Sequence, residues 1–190
     1  MTSVDTAAEL DARADVATCA PHDPAPRFGT RELIDAATCA GTHVMHARRI
    51  PGTRTTIDHL VVGPTGVWVI ASREESCPVE VRPGRIGAER GPQLYVGGRN
   101  RTSLVVDSEW QVAAVRRVLE PIGRGGVPVT AAICFPDPSC WSTSAGPLRV
   151  ASTVVADADD LVRDLLRPRS FTSSAVSAVS RRLDDELPPV

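Results

Sequence analysis

The tightest constraint on the fold is a short apolar run that follows a tight turn. Val67–Ile70 is continuously apolar, and the turn before it has the sequence GPTG at residues 63–66. A short apolar run bounded by turn residues is typical of a central strand that is covered on both faces. Thr56–Val62, before the turn, predicts a neighbouring strand. The sequence therefore predicts an α/β fold with a central mixed β-sheet flanked by helices.

The rest of the chain alternates between strand and helix periods. We predict further strands at residues 43–50, 79–86, 93–96, 128–135 and 148–155. We predict helices from Thr30 to Gly41, from Ser103 to Glu120, and over residues 157–167 and 172–187. Residues 27–190 are then one domain. Residues 1–26, rich in Ala, Asp, Thr and Pro, predict a mobile tail.

Composition excludes several classes of function. The net charge is -2 and all 21 basic residues are Arg, so the chain does not bind nucleic acid by bulk charge and has no lysine chemistry. Contact with DNA or RNA would depend on local arginines, eight of which crowd the β-rich half: Arg48, Arg49, Arg54, Arg73, Arg82, Arg85, Arg99 and Arg101.

The same composition bears on origin and location. An Arg-rich chain without Lys is typical of a GC-rich bacterial genome. The first residues lack the basic and apolar regions of a signal peptide, and no apolar stretch approaches the roughly 18 residues of a membrane helix. We therefore predict a cytoplasmic protein without membrane contact. The sequence leaves its oligomeric state and its protein partners open.

One block is specific enough to suggest a family. The segment RRIPGTRTTIDHLVVGPTGVWVI at residues 48–70, followed by glycine turns and a helix that carries Gln111, resembles the nuclease-related domain (NERD) family. That family resembles the PD-(D/E)XK nucleases, so the resemblance implies a restriction-endonuclease-like core. The likeness runs from about Arg27 to past Leu166.

The resemblance implies four functional positions, and two of them depart from the family pattern. Glu32 in the first helix, Asp58 in the second strand and Gln111 in the later helix match it. The acid-x-Lys pair that follows the apolar strand is replaced by Ala71 and Arg73. Metal binding and catalysis are therefore in doubt, whereas the implied fold is not.

The chemistry explains why these departures matter. Hydrolysis of a phosphodiester uses a divalent cation to activate water, and carboxylates hold Mg²⁺. Ala71 removes one ligand, so Mg²⁺ would bind weakly or not at all to Glu32 and Asp58. Arg73 can hold a phosphate but cannot act as a base. Glu75 is the candidate for a displaced ligand, although it lies about 13 Å along an ideal strand from position 71.

Other polar residues have plainer interpretations. Glu74 would point away from Glu75 in an extended strand, and His59 would face away from Asp58, which favours a structural role for His59. Glu32 could simply favour the helix dipole, and Asp58 could pair with an arginine. Gln111 on an apolar helix face would need hydrogen-bond partners if buried.

Three hypotheses about function remain. The first is a divergent nuclease-related domain that binds nucleic acid or a phosphate-bearing ligand, with weak or lost cleavage; Glu32 and Asp58 would be residual metal ligands, Arg73 would contact phosphate, and Gln111 would orient the strand or a water. The second is an active Mg²⁺-dependent nuclease with Glu75 as the displaced acid. The third is a protein-interaction or regulatory module on a nuclease fold.

Overall fold

The computed structural model describes residues 29–38, 41–84, 91–123, 126–141, 146–167 and 171–190. The predicted tail of residues 1–26 lies outside these ranges. In chain order the elements are α1 (Thr30–Ala37), β1 (His43–Arg49), β2 (Thr56–Gly63), β3 (Gly66–Ser72), β4 (Val79–Pro83), β5 (Pro92–Val96), β6 (Arg99–Asn100), α2 (Ser103–Leu119), β7 (Val129–Cys134), β8 (Leu148–Val150), β9 (Thr153–Ala156), α3 (Ala158–Leu165) and α4 (Ser173–Glu186).

The strands form one mixed sheet and one small sheet. The main sheet has the order β1-β2-β3-β7-β9-β8. Its strands β1, β2 and β3 run antiparallel, β3, β7 and β9 run parallel, and β8 returns antiparallel to β9. The strands β4, β5 and β6 form a separate antiparallel sheet. The predicted mixed sheet flanked by helices is confirmed.

The central strand β3 is buried on both faces, as its apolar run predicts. Val67 and Val69 pack on one face, and Trp68 and Ile70 pack on the other, because successive side chains of a strand point to opposite sides. The first face, which we call the α2-side core, is covered by apolar residues of α2 and α4. The second, the α1-side core, is covered by α1 and α3.

The turn that precedes β3 requires glycine at its last position. Gly66 has a φ of 109°, and a Cβ atom at this position would lie 2.4 Å from the carbonyl oxygen of Pro128. That oxygen accepts a hydrogen bond from the Val67 amide at 2.9 Å. Gly66 therefore allows β7 to lie close enough to start its parallel ladder with β3.

The C-terminal residues cover the outer edge of β1. Arg49 N donates to Pro188 O and Val190 N donates to Ala47 O, both at 2.9 Å. Arg48 binds Asp184 of α4 at 2.6 Å. The covered edge is less available for pairing with another chain.

Two predicted strand boundaries are wrong. Residues 148–155 form two antiparallel strands, β8 and β9, with the reversal at Ala151 and Ser152, and Ala151 has a φ of 52°. A two-residue hairpin turn usually carries Asn or Gly, so Ala-Ser gave no turn signal. The strand predicted at 79–86 ends at Pro83, and residues 85–90 lie outside the described ranges.

None of the helices in the described ranges is long and apolar enough to cross a membrane.

The burial of β2 gives a test of the core. Leu60 is fully buried in the α2-side core, so Leu60→Ala should lower the free energy of unfolding by about 2–5 kcal/mol, through lost burial and a residual cavity. Urea unfolding followed by circular dichroism measures the change. Val106→Ala, at a side chain that is 62% exposed, is the control and should change it by less than about 0.5 kcal/mol. Equal effects of the two substitutions would contradict the assigned core.

Candidate functional site

A polar cleft opens where β2 and β3 separate. Pairing between these strands runs from the turn to His59 and Ile70, whereas β3 continues beside β7 as far as Ser72. The cleft has a volume of about 830 Å³ and is bounded by the start of α1, by β1 at His46 and Ala47, by β2, and by residues 72–74. Glu32, Asp58 and Arg73, which the sequence singles out, all line it.

Asp58 lies where the β2–β3 ladder ends. Its Oδ2 atom accepts a hydrogen bond from the backbone amide of Ser72 at 3.0 Å. The carboxylate thus takes the place of a backbone acceptor at the point where the two strands part. This contact holds Asp58 in a fixed orientation, and it also gives the residue a structural role.

Arg73 contacts the same carboxylate oxygen. The strand has ended at Ser72, and the Arg73 amide donates to Cys134 O at 2.9 Å. Its side chain then turns back, so that Nη1 lies 3.4 Å from Asp58 Oδ2 and 2.6 Å from Ser72 O. The Arg73 side chain is 31% exposed. Arg73 therefore presents a cation to the cleft while it neutralises Asp58.

Two further carboxylates surround the first residue of the described chain. A Cβ atom on Gly29 would lie 2.7 Å from Glu32 Oε2 and 3.7 Å from Glu74 Oε1. The hydroxyl of Ser72 lies 2.7 Å from the Thr30 hydroxyl and 3.2 Å from Glu74 Oε1. The N-terminus of α1 and the end of β3 thus bring Glu32 and Glu74 to the same side of the cleft.

The expectation that Glu74 points away from the site is wrong. It assumed that the strand continues past Ser72, but residues 73–76 are irregular and strand alternation does not apply to them. Glu74 lines the cleft and Glu75 does not. The carbonyl of Glu75 accepts a hydrogen bond from the Cys140 thiol at 3.0 Å. The assignment of Glu75 as a metal ligand stays a prediction.

Gln111 lies on α2, outside the cleft lining. Its Nε2 atom donates to the backbone oxygen of Thr56 at 3.3 Å, and its Oε1 atom is buried without a hydrogen-bond partner among the described residues. Thr56 lines the cleft, so Gln111 can affect the site through the backbone of β2. Ala71, at the position of the family acid, is 5% exposed and packs against the small sheet. It contributes no ligand atom.

Sequence reasoning missed a chain of hydrogen bonds between Asp35, His46 and His59. His46 Nε2 lies 2.8 Å from Asp35 Oδ1, and His46 Nδ1 lies 2.7 Å from His59 Nδ1. The two histidines are cross-strand partners. Because their contact depends on the register of β1 against β2, only a correct hairpin register could have revealed it.

The expectation that His59 and Asp58 face apart is also wrong, since both line the cleft. Ile57 and Leu60 pack in the same α2-side core although they are three residues apart, so side-chain alternation is not kept between them. On β1, Ala47 has a φ of 48°, and the β1–β2 pairing skips both Ala47 and Asp58, between the pairs His46–His59 and Arg48–Ile57. Burial lowers the pKa of His59 to about 4, with a smaller contribution from His46.

The residues of the cleft do not fit a bound divalent cation. Within the described ranges, no group of three or more His, Cys, Asp or Glu side chains is arranged to hold a metal. The Oδ2 atom of Asp58, which accepts from the Ser72 amide, also contacts the guanidinium of Arg73. Mg²⁺ needs converging oxygen ligands in near-octahedral geometry.

Comparison with known families gives one match. The model of the nuclease-related domain family matches residues 28–136, which is more than half of the 190-residue chain. The match includes the cleft residues of α1, β1, β2 and β3. Comparisons with curated proteins and with solved structures give no match.

The pKa of His59 predicts how stability depends on pH. Unfolding lets His59 take up a proton near its usual pKa of 6.5, whereas the folded protein keeps it neutral until about pH 4. The free energy of unfolding is therefore not reduced by His59 above pH 6.5. It falls as the pH drops from 6.5 towards 4, by on the order of 3 kcal/mol at most. Urea unfolding of wild type and His59→Gln at pH 7.5 and pH 4.5 measures it. We expect the wild type to lose more stability than the variant, and an equal loss would contradict the assignment.

Proposed function

The chain belongs to the nuclease-related domain family, and we propose that its cleft binds the phosphate backbone of nucleic acid with weak or lost cleavage. Family membership supports a nuclease-related function. The contact between Arg73 and Asp58 carries the finer proposal, because it puts a fixed cation where a catalytic metal would otherwise meet its ligand.

The side chains present cannot replace the metal. Cleavage of a phosphodiester requires an activated water and a cation that stabilises the developing charge. Ala71 offers no ligand atom, and Arg73 stays protonated at every useful pH, so it is no general base. The cleft retains groups that hold a phosphate and lacks a group arranged to activate water with a metal.

Two arginines supply the contact to phosphate. Arg31 of α1 has a side chain that is 63% exposed and lies 3.9 Å from Asp35, and Arg73 is partly exposed at the other side of the cleft. A guanidinium binds a phosphate through paired hydrogen bonds. Arg73 would exchange the carboxylate of Asp58 for a phosphate oxygen. Gln111, through its bond to Thr56 O, would position the β2 side of the cleft.

The charges of the cleft make this binding weak. Three carboxylates, from Glu32, Asp58 and Glu74, face two guanidiniums. The lining of the cleft contains none of the other described arginines of the β-rich half. Of these, Arg48 is bound to Asp184 and Arg82 is bound to Glu80, and Arg85 lies outside the described residues. Nucleic-acid contact is therefore local, with few phosphates neutralised and a shallow salt dependence.

The cytoplasmic location stays a prediction.

Substitutions at the ion pair test the proposal through binding. Asp58→Asn removes a negative charge and frees Arg73, so the affinity for a labelled oligonucleotide should rise by about threefold or more. Arg73→Gln should lower it by a similar factor. Fluorescence anisotropy at low salt measures both. Arg181→Gln, an exposed arginine on α4, removes the same charge elsewhere and should leave the affinity unchanged. If Asp58→Asn weakens binding, Asp58 is not the competitor of phosphate.

A cleavage assay distinguishes the proposal from the rival hypothesis of an active nuclease. Labelled plasmid and oligonucleotides are incubated with Mg²⁺ or Mn²⁺ and with wild type or Asp58→Ala. We expect no difference in cleavage between the two proteins. Cleavage by wild type that disappears in the variant would show that a cation site operates and would overturn the proposal. Folded protein that neither cleaves nor binds would favour the protein-interaction module.

A further inference from the structure

A second polar pocket lies at the opposite end of β3 from the cleft. The parallel ladder of β7 with β3 starts at Val129, whereas its ladder with β9 starts only at Ala132. The chain turns from β8 into β9 at Ala151 and Ser152, so the β9 side of β7 is left open before Ala132. This gap is a pocket of about 190 Å³, which we call the arginine notch.

Three arginines line the arginine notch: Arg116 of α2, Arg149 of β8 and Arg167 after α3. Arg116 Nη2 donates to the carbonyl of Val129 at 3.1 Å, which fixes its guanidinium beside the open stretch of β7. The side chain of Arg149 has no hydrogen bond or ion pair within the described part of the chain. The three elements approach from both faces of the sheet, so their cations converge on the gap.

The charges in the notch do not cancel. Asp164 is the one acidic residue of its lining, and Arg167 pairs with it at 3.1 Å. Glu109 nearby bonds the Ser152 hydroxyl at 2.8 Å and forms no ion pair with Arg116 or Arg149. Within the described residues, the guanidiniums of Arg116 and Arg149 therefore have no carboxylate partner. The partly buried hydroxyl of Thr130 also lines the notch and can donate a hydrogen bond.

From this convergence we infer that the arginine notch binds one phosphate group or a similar oxyanion. Guanidinium groups donate charge-assisted hydrogen bonds to phosphate oxygens. The volume is below the roughly 300–1,000 Å³ of pockets that enclose drug-sized ligands. The ligand is thus either a free anion or the phosphate of a larger molecule whose remainder stays outside.

This site is separate from the cleft. Thr65, at the start of β3, lines the notch, whereas Ser72, at its end, lines the cleft. The intervening strand is about 20 Å long at the usual rise per residue. The inference does not depend on the proposed function, because no residue lines both sites.

Isothermal titration calorimetry with inorganic phosphate tests the inference on the full chain. Arg149→Gln should weaken phosphate binding by about tenfold or more, since it removes one charge-assisted contact. Its side chain is exposed and unpaired, so the substitution should not disturb folding. Arg181→Gln on α4 makes the same change of charge outside the notch and should bind phosphate like the wild type.

A cleft variant separates this inference from the proposed function. Arg73→Gln should leave phosphate binding at the notch unchanged. If Arg73→Gln abolishes it and Arg149→Gln does not, the anion binds in the cleft and the notch inference is wrong, while the proposed function gains. Phosphate should also raise the Tm of the wild type more than that of Arg149→Gln. An equal rise in both would likewise overturn the inference.

The source of the phosphate group is tested with a nucleoside 5′-monophosphate in the same titration. Binding that depends on Arg149 for both ligands supports a notch that holds the phosphate of a larger molecule. Dependence on Arg149 for inorganic phosphate alone supports a free-anion site. Binding that depends on Arg149 for neither ligand contradicts the inference.

Discussion

The hydrogen bond from the Ser72 amide to the Asp58 carboxylate is the contact on which the cleft depends. It forms where β2 stops pairing with β3, and it satisfies a backbone donor that would otherwise lack its ladder partner. Because the carboxylate is anchored in this way, its contact with Arg73 has a defined direction. The position of Glu74 follows as well, since the chain leaves the strand directly after Ser72.

The same contact explains why the cleft keeps the layout of a nuclease site without its chemistry. The Oδ2 atom of Asp58 already accepts from the Ser72 amide and contacts the Arg73 guanidinium, so a cation that bound this oxygen would have to displace Arg73. A lysine in this place can lose its proton and move, whereas an arginine keeps its charge and its planar geometry. Together with Ala71, this change favours the binding of phosphate over the activation of water.

The sequence allowed prediction of those features of the fold and of the site that depend on local residue patterns. The apolar run of β3 and the helical period of α2 fixed the layers of the fold, and the family block identified Glu32, Asp58 and Arg73, which the structure brings into one cleft. The rest depends on contacts between distant segments. The reversal at Ala151 carries no turn residue, the pairing of His46 with His59 needs the register of two strands, and Glu74 faces the cleft only because β3 ends early.

Both polar sites lie where the pairing of a strand stops. The cleft opens where β2 leaves β3, and the arginine notch opens where β9 has not yet joined β7. At each point backbone groups lose their ladder partners, and side chains take over: Asp58 accepts from Ser72 N, and Arg116 donates to Val129 O. The two side chains that replace the ladder partners, those of Asp58 and Arg116, carry charges of opposite sign. A carboxylate at one end attracts Arg73 and leaves the cleft nearly balanced in charge, whereas a guanidinium at the other end adds to Arg149 and leaves the notch positive. The ends of β3 therefore differ in how strongly they attract an anion, and the notch retains the larger unpaired charge.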